Sequence, residues 1–174
     1  MTNDDDIMIF DGSESYDNKL QSADCELPEH HNLDKARRLG VALAGMTKEA
    51  ERGFELDIND ELLLQRRLLL CFAIATALED YSESIQYART ALNAFYDTIK
   101  RNEFDFYEDI GSTGSFSFYY LARRQGGDVE RRIGQTFAML CGQDGDPVCQ
   151  ELGEALYCQY TNMVRVQIKS MQMD

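Results

Sequence analysis

The sequence predicts an all-α fold of about six helices packed as antiparallel hairpins, and three observations carry that reading. Apolar residues recur at steps of three and four through most of residues 33 to 171. Only 2 prolines interrupt the 174 residues. Between Glu61 and Leu78 the chain reads ELLLQRRLLLCFAIATAL, with an unbroken apolar run from Leu68 to Ala75.

A helix that is apolar nearly all round has to be covered on most sides, so this stretch is expected at the centre of the domain with other helices packed against it. Its apolar tract stops well short of the ~20 residues that a membrane span needs, which makes it a core helix. Its only break is Gln65-Arg66-Arg67. Asp80 is placed to cap a following helix from Tyr81, with Glu83 as the capping-box acid. That second arm runs to Asn102 with a stripe of Ile85, Ala88, Leu92, Phe95 and Ile99, so the two helices should form a tight hairpin.

Upstream, Asn32 is a candidate cap for a helix from Leu33 to about Phe54, whose apolar positions Leu33, Ala36, Leu39, Leu43, Met46, Ala50 and Phe54 keep helical spacing. Asp57 or Asn59 would cap the central helix. Residues 1–31 read as an acidic arm and 32–174 as one helical domain. Nine acids against Lys19 in residues 1 to 30 leave a net charge of −8, more than half of the −14 carried by the whole chain. Such composition favours a solvated tail, yet Ile7-Met8-Ile9-Phe10 is an apolar four-mer fenced by aspartates and is a candidate docking segment.

Charge and cysteine usage exclude several classes of function. A net −14 opposes nucleic acid and anionic membrane as partners, because both are held by clustered Lys and Arg. The acidic opening Thr2-Asn3-Asp4-Asp5-Asp6 is opposite in charge to a secretory leader, and five cysteines without a CxxC pair suit a reducing compartment; a cytoplasmic protein is the expectation. His30 and His31 are the only histidines, at the end of a loop, and Cys25 nearby does not complete a metal site. No nucleophile and base are spaced as a catalytic set, and no cofactor motif is present.

The stretch Tyr81-Ser82-Glu83-Ser84-Ile85-Gln86-Tyr87-Ala88-Arg89-Thr90-Ala91-Leu92 resembles the second helix of a tetratricopeptide (TPR) unit. Ala91 matches a small residue of that pattern, whereas Ser84 stands for alanine, Ala75 for an aromatic, Glu79 for the turn glycine and Tyr96 for the closing proline. A fainter echo begins at Gly127-Asp128-Val129, with Ile133 downstream; an insertion would account for its distance beyond the ~34-residue period. The resemblance implies stacked helical hairpins in which Ala75 and Ala91 lie at close helix contacts.

Glu103 to Ile110 alternates acid with aromatic and, with Gly111-Ser112-Thr113-Gly114-Ser115, reads as that insertion and a glycine loop. Phe116 to Arg124 is a short helix ended by Gly126-Gly127, and Asp128 caps a further helix from Val129 to about Cys141. Asp146 as cap and Pro147 as first helical residue open the last helix, which runs to about Met171. Its two apolar stripes, Cys149-Leu152-Leu156-Tyr160-Met163 and Tyr157-Val164-Ile168-Met171, call for two partners, one of them a possible sister subunit.

Arg123, Arg124, Arg131 and Arg132 flank the Gly126-Gly127 turn in an otherwise acidic chain. Arg131 and Arg132 fall in a first helical turn, where positive charge is unfavourable, so stability does not explain them. Guanidinium forks bind carboxylates and phosphates two-pronged, and Gly114 and Ser115 would add backbone donors at the next helix start. The sequence thus points to a non-enzymatic interaction or adaptor module with a protein or peptide partner. The alternative is a small anionic-ligand or phospho-ligand binder, possibly an enzyme, using the arginines and the glycine loop.

Overall fold

The computed structural model describes residues 27–52 and 60–173, which form seven helices: α1 (Leu27–Arg52), α2 (Asp60–Tyr81), α3 (Ile85–Asn102), α4 (Phe104–Ser112), α5 (Ser115–Arg124), α6 (Val129–Leu140) and α7 (Pro147–Met173). No strand occurs among the described residues, and the fold is all-α. Residues 1–26, including Ile7 to Phe10 and Cys25, and the caps proposed at Asp57 and Asn59, lie outside them.

The central position of α2 follows from its composition. Every residue from Gln65 to Leu78 is buried, and the helix touches α1, α3, α5, α6 and α7. Around Phe72 the rings of Phe116, Tyr119, Tyr120 and Tyr157 lie 5.0 to 6.2 Å away between centroids, edge-on or tilted, which favours aromatic quadrupoles over a face-to-face stack. The expected break at Gln65-Arg66-Arg67 is also buried. Arg67 is held there by an ion pair to Glu103 at 2.5 Å and lies 3.6 Å over the Phe106 ring, so its charge is met on one side by a carboxylate and on the other by a π face.

Several boundaries depart from the sequence expectation. α1 begins at Leu27, with Pro28 in its first turn, where a missing N–H costs no helical hydrogen bond; His31 is therefore an exposed helical residue, not the end of a loop, and Asn32 caps nothing. α2 continues through Asp80 to Tyr81, and the cap of α3 is Ser84, extended at φ −147° and accepting from the Tyr87 N–H at 3.1 Å. The shift leaves Ile85, the first residue of the anticipated stripe, 73% exposed, while Ala88, Ala91, Phe95 and Ile99 are buried. The acid-aromatic stretch expected as an insertion forms a helix of its own, α4, which takes the count from about six to seven among the described residues and includes Gly111 and Ser112 of the expected glycine loop. At helical spacing Phe106 is buried and Tyr107 and Ile110 pack half-buried on the core.

Pairing also differs from a simple run of sequential hairpins. α3 makes its most extensive interface with α1, while α7 packs on α6 and α2. Glycines permit both of the closest crossings: a Cβ at Gly40 would collide with the Ala91 carbonyl oxygen, and one at Gly134 would collide with the Gln150 carbonyl oxygen. Both apolar stripes of α7 are covered within the chain, since Cys149, Leu156, Tyr157, Tyr160, Val164 and Ile168 are all buried; of the stripe residues only Met163 is exposed. No helix among the described residues is long and apolar enough to cross a membrane.

Candidate functional site

α5 ends where Gly126 and Gly127 take φ of 69° and 73°, the left-handed conformation the double glycine anticipates. α6 starts two residues later, with the Asp128 carboxylate accepting from the Arg131 N–H at 3.1 Å. This turn brings the four arginines to one corner, but their head groups do not converge. Arg123 reaches back to Asp80 at the end of α2, donating from Nη2 to both carboxylate oxygens at 2.7 and 2.6 Å. Burial works to lower the pKa of Arg123, yet the bond and charge of Asp80 leave it above the ordinary value. Arg132 donates from Nη1 to Gln125 Oε1 at 2.6 Å, closing the α5–α6 turn. Arg124 and Arg131 are exposed.

Gly114 and Ser115 lie elsewhere. Gly114 occupies the cap position of α5 at φ 68°, and the Ser115 hydroxyl is buried, donating to Gln65 Oε1 on α2 at 3.2 Å. The two ends of α5 are roughly 14 Å apart at ~1.5 Å of rise per residue, so the glycine loop and the arginine corner do not share one pocket. Ser115 serves to pin α5 to the buried polar patch of α2.

A groove that sequence reasoning missed runs between α5 and α6 beside the arginines. It has a volume of about 280 Å³, with Ala122 and Thr136 among its walls and Gln125, Arg132, Gln135 and Asp144 around it. Three large apolar side chains border it while exposed to solvent: Phe118 at 47%, Leu121 at 56% and Met139 at 40%. A signal for it exists in the sequence. Phe116, Tyr119 and Tyr120 already supply the core-facing side of α5, so Phe118 and Leu121, three residues apart, form a second face that α6 covers only in part.

Comparison with protein-family models, curated proteins and solved structures finds no match to this chain. The likeness of residues 81–92 to a TPR helix therefore rests on pattern.

The thiols give no sign of nucleophilic chemistry. Cys71, Cys141, Cys149 and Cys158 are free, and all four have raised pKa values. Burial pushes Cys71 far up, and burial followed by the neighbouring Cys149 pushes Cys141 to about 12. A reactive cysteine needs the opposite shift. Among the described residues no group of three His, Cys, Asp or Glu side chains is placed to hold a metal ion.

Proposed function

We propose that this protein is a non-enzymatic interaction or adaptor module whose docking surface is the α5–α6 groove, and that its partner presents a short segment mixing acidic with apolar side chains. One observation carries the reading. Phe118, Leu121 and Met139 stand exposed around a groove lined by Arg132, beside a ten-residue stretch, 123 to 132, that holds four arginines against two acids in an otherwise acidic chain. Apolar anchors supply affinity on burial, while Arg124, Arg131 and Arg132 favour approach of an acidic segment and select against a basic one. The free thiols of Cys71, Cys141, Cys149 and Cys158 support a cytoplasmic setting. A phospho-ligand pocket has less support, because Arg123 is engaged by Asp80 and Arg132 by Gln125. A dimer through α7 has only Val148, Met163 and Val166 to recommend it, three exposed residues spread along the helix, since most of its two stripes is covered by the chain itself.

The test is selection of peptides from a random library on the intact protein, with Leu121→Asp and Met139→Asp variants as counter-targets. Enriched peptides should combine Asp or Glu with Leu or Phe, and Leu121→Asp should weaken them at least tenfold, about 1.4 kcal/mol. Peptides bound equally by wild type and both variants would place the docking surface elsewhere.

A further inference from the structure

A second concavity, unrelated to the arginine corner, opens between α3 and α4. Its volume is about 820 Å³, within the range of small-ligand sites, and its lining combines two aromatic rings, Tyr96 and Tyr107, with two carboxylates, Asp97 and Glu108, and the amide of Asn93. Asn93 and Asp97 are one helical turn apart on α3, so both present the same face to the cleft; Tyr107 and Glu108 enter from α4. A Cβ at Gly111 would meet nothing within 4 Å, which leaves that end of the cleft open.

The chemistry of this lining is one-signed. Tyrosine rings offer negative π faces and carboxylates offer negative charge, while the amide and hydroxyl oxygens can accept as well as their N–H and O–H donate; together these suit a cation that is itself partly apolar. The structure already contains a cation on one of these rings, since the Lys100 Nζ lies 5.4 Å from the centroid of Tyr107. Lys100 is tethered to α3, so an incoming ammonium or guanidinium group would compete with it for the ring. The acidic character of the whole chain, −14, raises the local concentration of such a ligand.

We infer that the α3–α4 cleft binds an organic cation, an alkylammonium or guanidinium group, between Tyr96 and Tyr107, with Asp97 and Glu108 as its counter-charges. The group has two sources, a free polyamine or the side chain of a basic peptide. The inference is independent of the α5–α6 groove, which lies on other helices.

Isothermal titration of the full chain with spermidine, and separately with a short lysine- and arginine-containing peptide, tests it. At least one probe should bind saturably, one to one. That binding should weaken about tenfold in Asp97→Asn/Glu108→Gln, and about three- to fivefold in Tyr107→Leu, the loss expected for one cation–π contact. Tyr107→Phe should bind as wild type because it keeps the ring face, Lys100→Met should bind more tightly because the competitor is gone, and the distant Glu130→Gln should change nothing. Saturable binding by spermidine alone assigns the source to a free amine, by the peptide alone to a protein. Absence of binding by both probes overturns the site, as does binding that Glu130→Gln weakens as much as the cleft variants, the signature of diffuse counter-ion association. Circular dichroism of each variant separates lost binding from lost fold.

Discussion

Gly40 of α1 and Ala91 of α3 meet so closely that a single carbon added to Gly40 would collide with the Ala91 carbonyl oxygen and come within 2.9 Å of the Ala94 methyl. Backbone on one side of this contact has nowhere to yield. Gly40→Ala should therefore force α1 and α3 apart and destabilise by roughly 1–3 kcal/mol or more. Gly45, five residues on in the same helix, has nothing within 4 Å of where its Cβ would be, so Gly45→Ala should stabilise by roughly 0.5–1 kcal/mol through helix propensity alone. Opposite signs in thermal melts are the expected result. Melts that move together would remove the close crossing.

Ala91→Leu and Ala75→Leu should each cost roughly 1–3 kcal/mol, because both alanines are buried and overpacking shifts backbone. For Ala91 the steric partner is α1. Combining Ala91→Leu with Gly40→Ala should thus give a loss that departs from the sum of the two, measured as a double-mutant cycle.

Arg67 and Glu103 form a largely buried ion pair that ties α2 to the junction of α3 and α4, where Glu103 is the last cap of one helix and the first of the next. Glu103→Ala should destabilise by roughly 3 kcal/mol, the lower end for breaking a buried pair, because it removes the carboxylate that meets the largely buried Arg67 charge opposite the Phe106 ring. Chemical denaturation of this variant tests the estimate, and a loss below about 0.5 kcal/mol would class the pair with ordinary surface bridges.

Stability should fall in alkali, starting near pH 9. The folded thiol of Cys141 is held up at about 12 from an ordinary 9.0, chiefly by burial and then by Cys149, and burial also raises Cys71 and Tyr96. A raised pKa means the fold favours the protonated form, so this contribution is complete below the unfolded pKa and is lost as pH climbs toward the folded one. Melting temperature followed from pH 8 to 11 should decline, and Cys141→Ala should decline less steeply than wild type. Parallel curves would show that the thiol carries none of the effect.

If Ile7-Met8-Ile9-Phe10, fenced by aspartates, is a docking segment, the acidic arm would compete with an external acidic partner at the arginine corner and the groove beside it. Removing residues 1–26 should raise the affinity of the groove for a selected acidic peptide at low salt and change it little at high salt, since opposite charges are screened over roughly 10 Å at 0.1 M. Equal affinities at low salt for the two chains would make the arm a bystander.

The all-α class and the central place of α2 were legible because they follow from period and composition: a stretch apolar nearly all round is stable only when covered by several helices, and all fourteen residues from Gln65 to Leu78 are buried. The start of α7 at Pro147 and the Gly126-Gly127 turn were legible for the same local reason, as both depend on backbone geometry that the residue itself imposes. The arginine corner was legible only as an address. Which guanidinium turns to Asp80, which to Gln125 and which to solvent is decided by partners 43 and 7 residues away, and no local rule ranks them. α4 was hidden because an acid-aromatic alternation has no helical period of its own, so the stretch reads only as an insertion until the core provides a surface for Phe106. The cap lies at Ser84 because α2 runs on through Asp80 to Tyr81, and Asp80 pairs with Arg123, a partner it has only once α5 is folded against α2. Helices, in this chain, are fixed by short-range periodicity, whereas their pairing and the grooves between them depend on where single glycines let two backbones touch, and that is set by residues about fifty positions apart at Gly40 and Ala91.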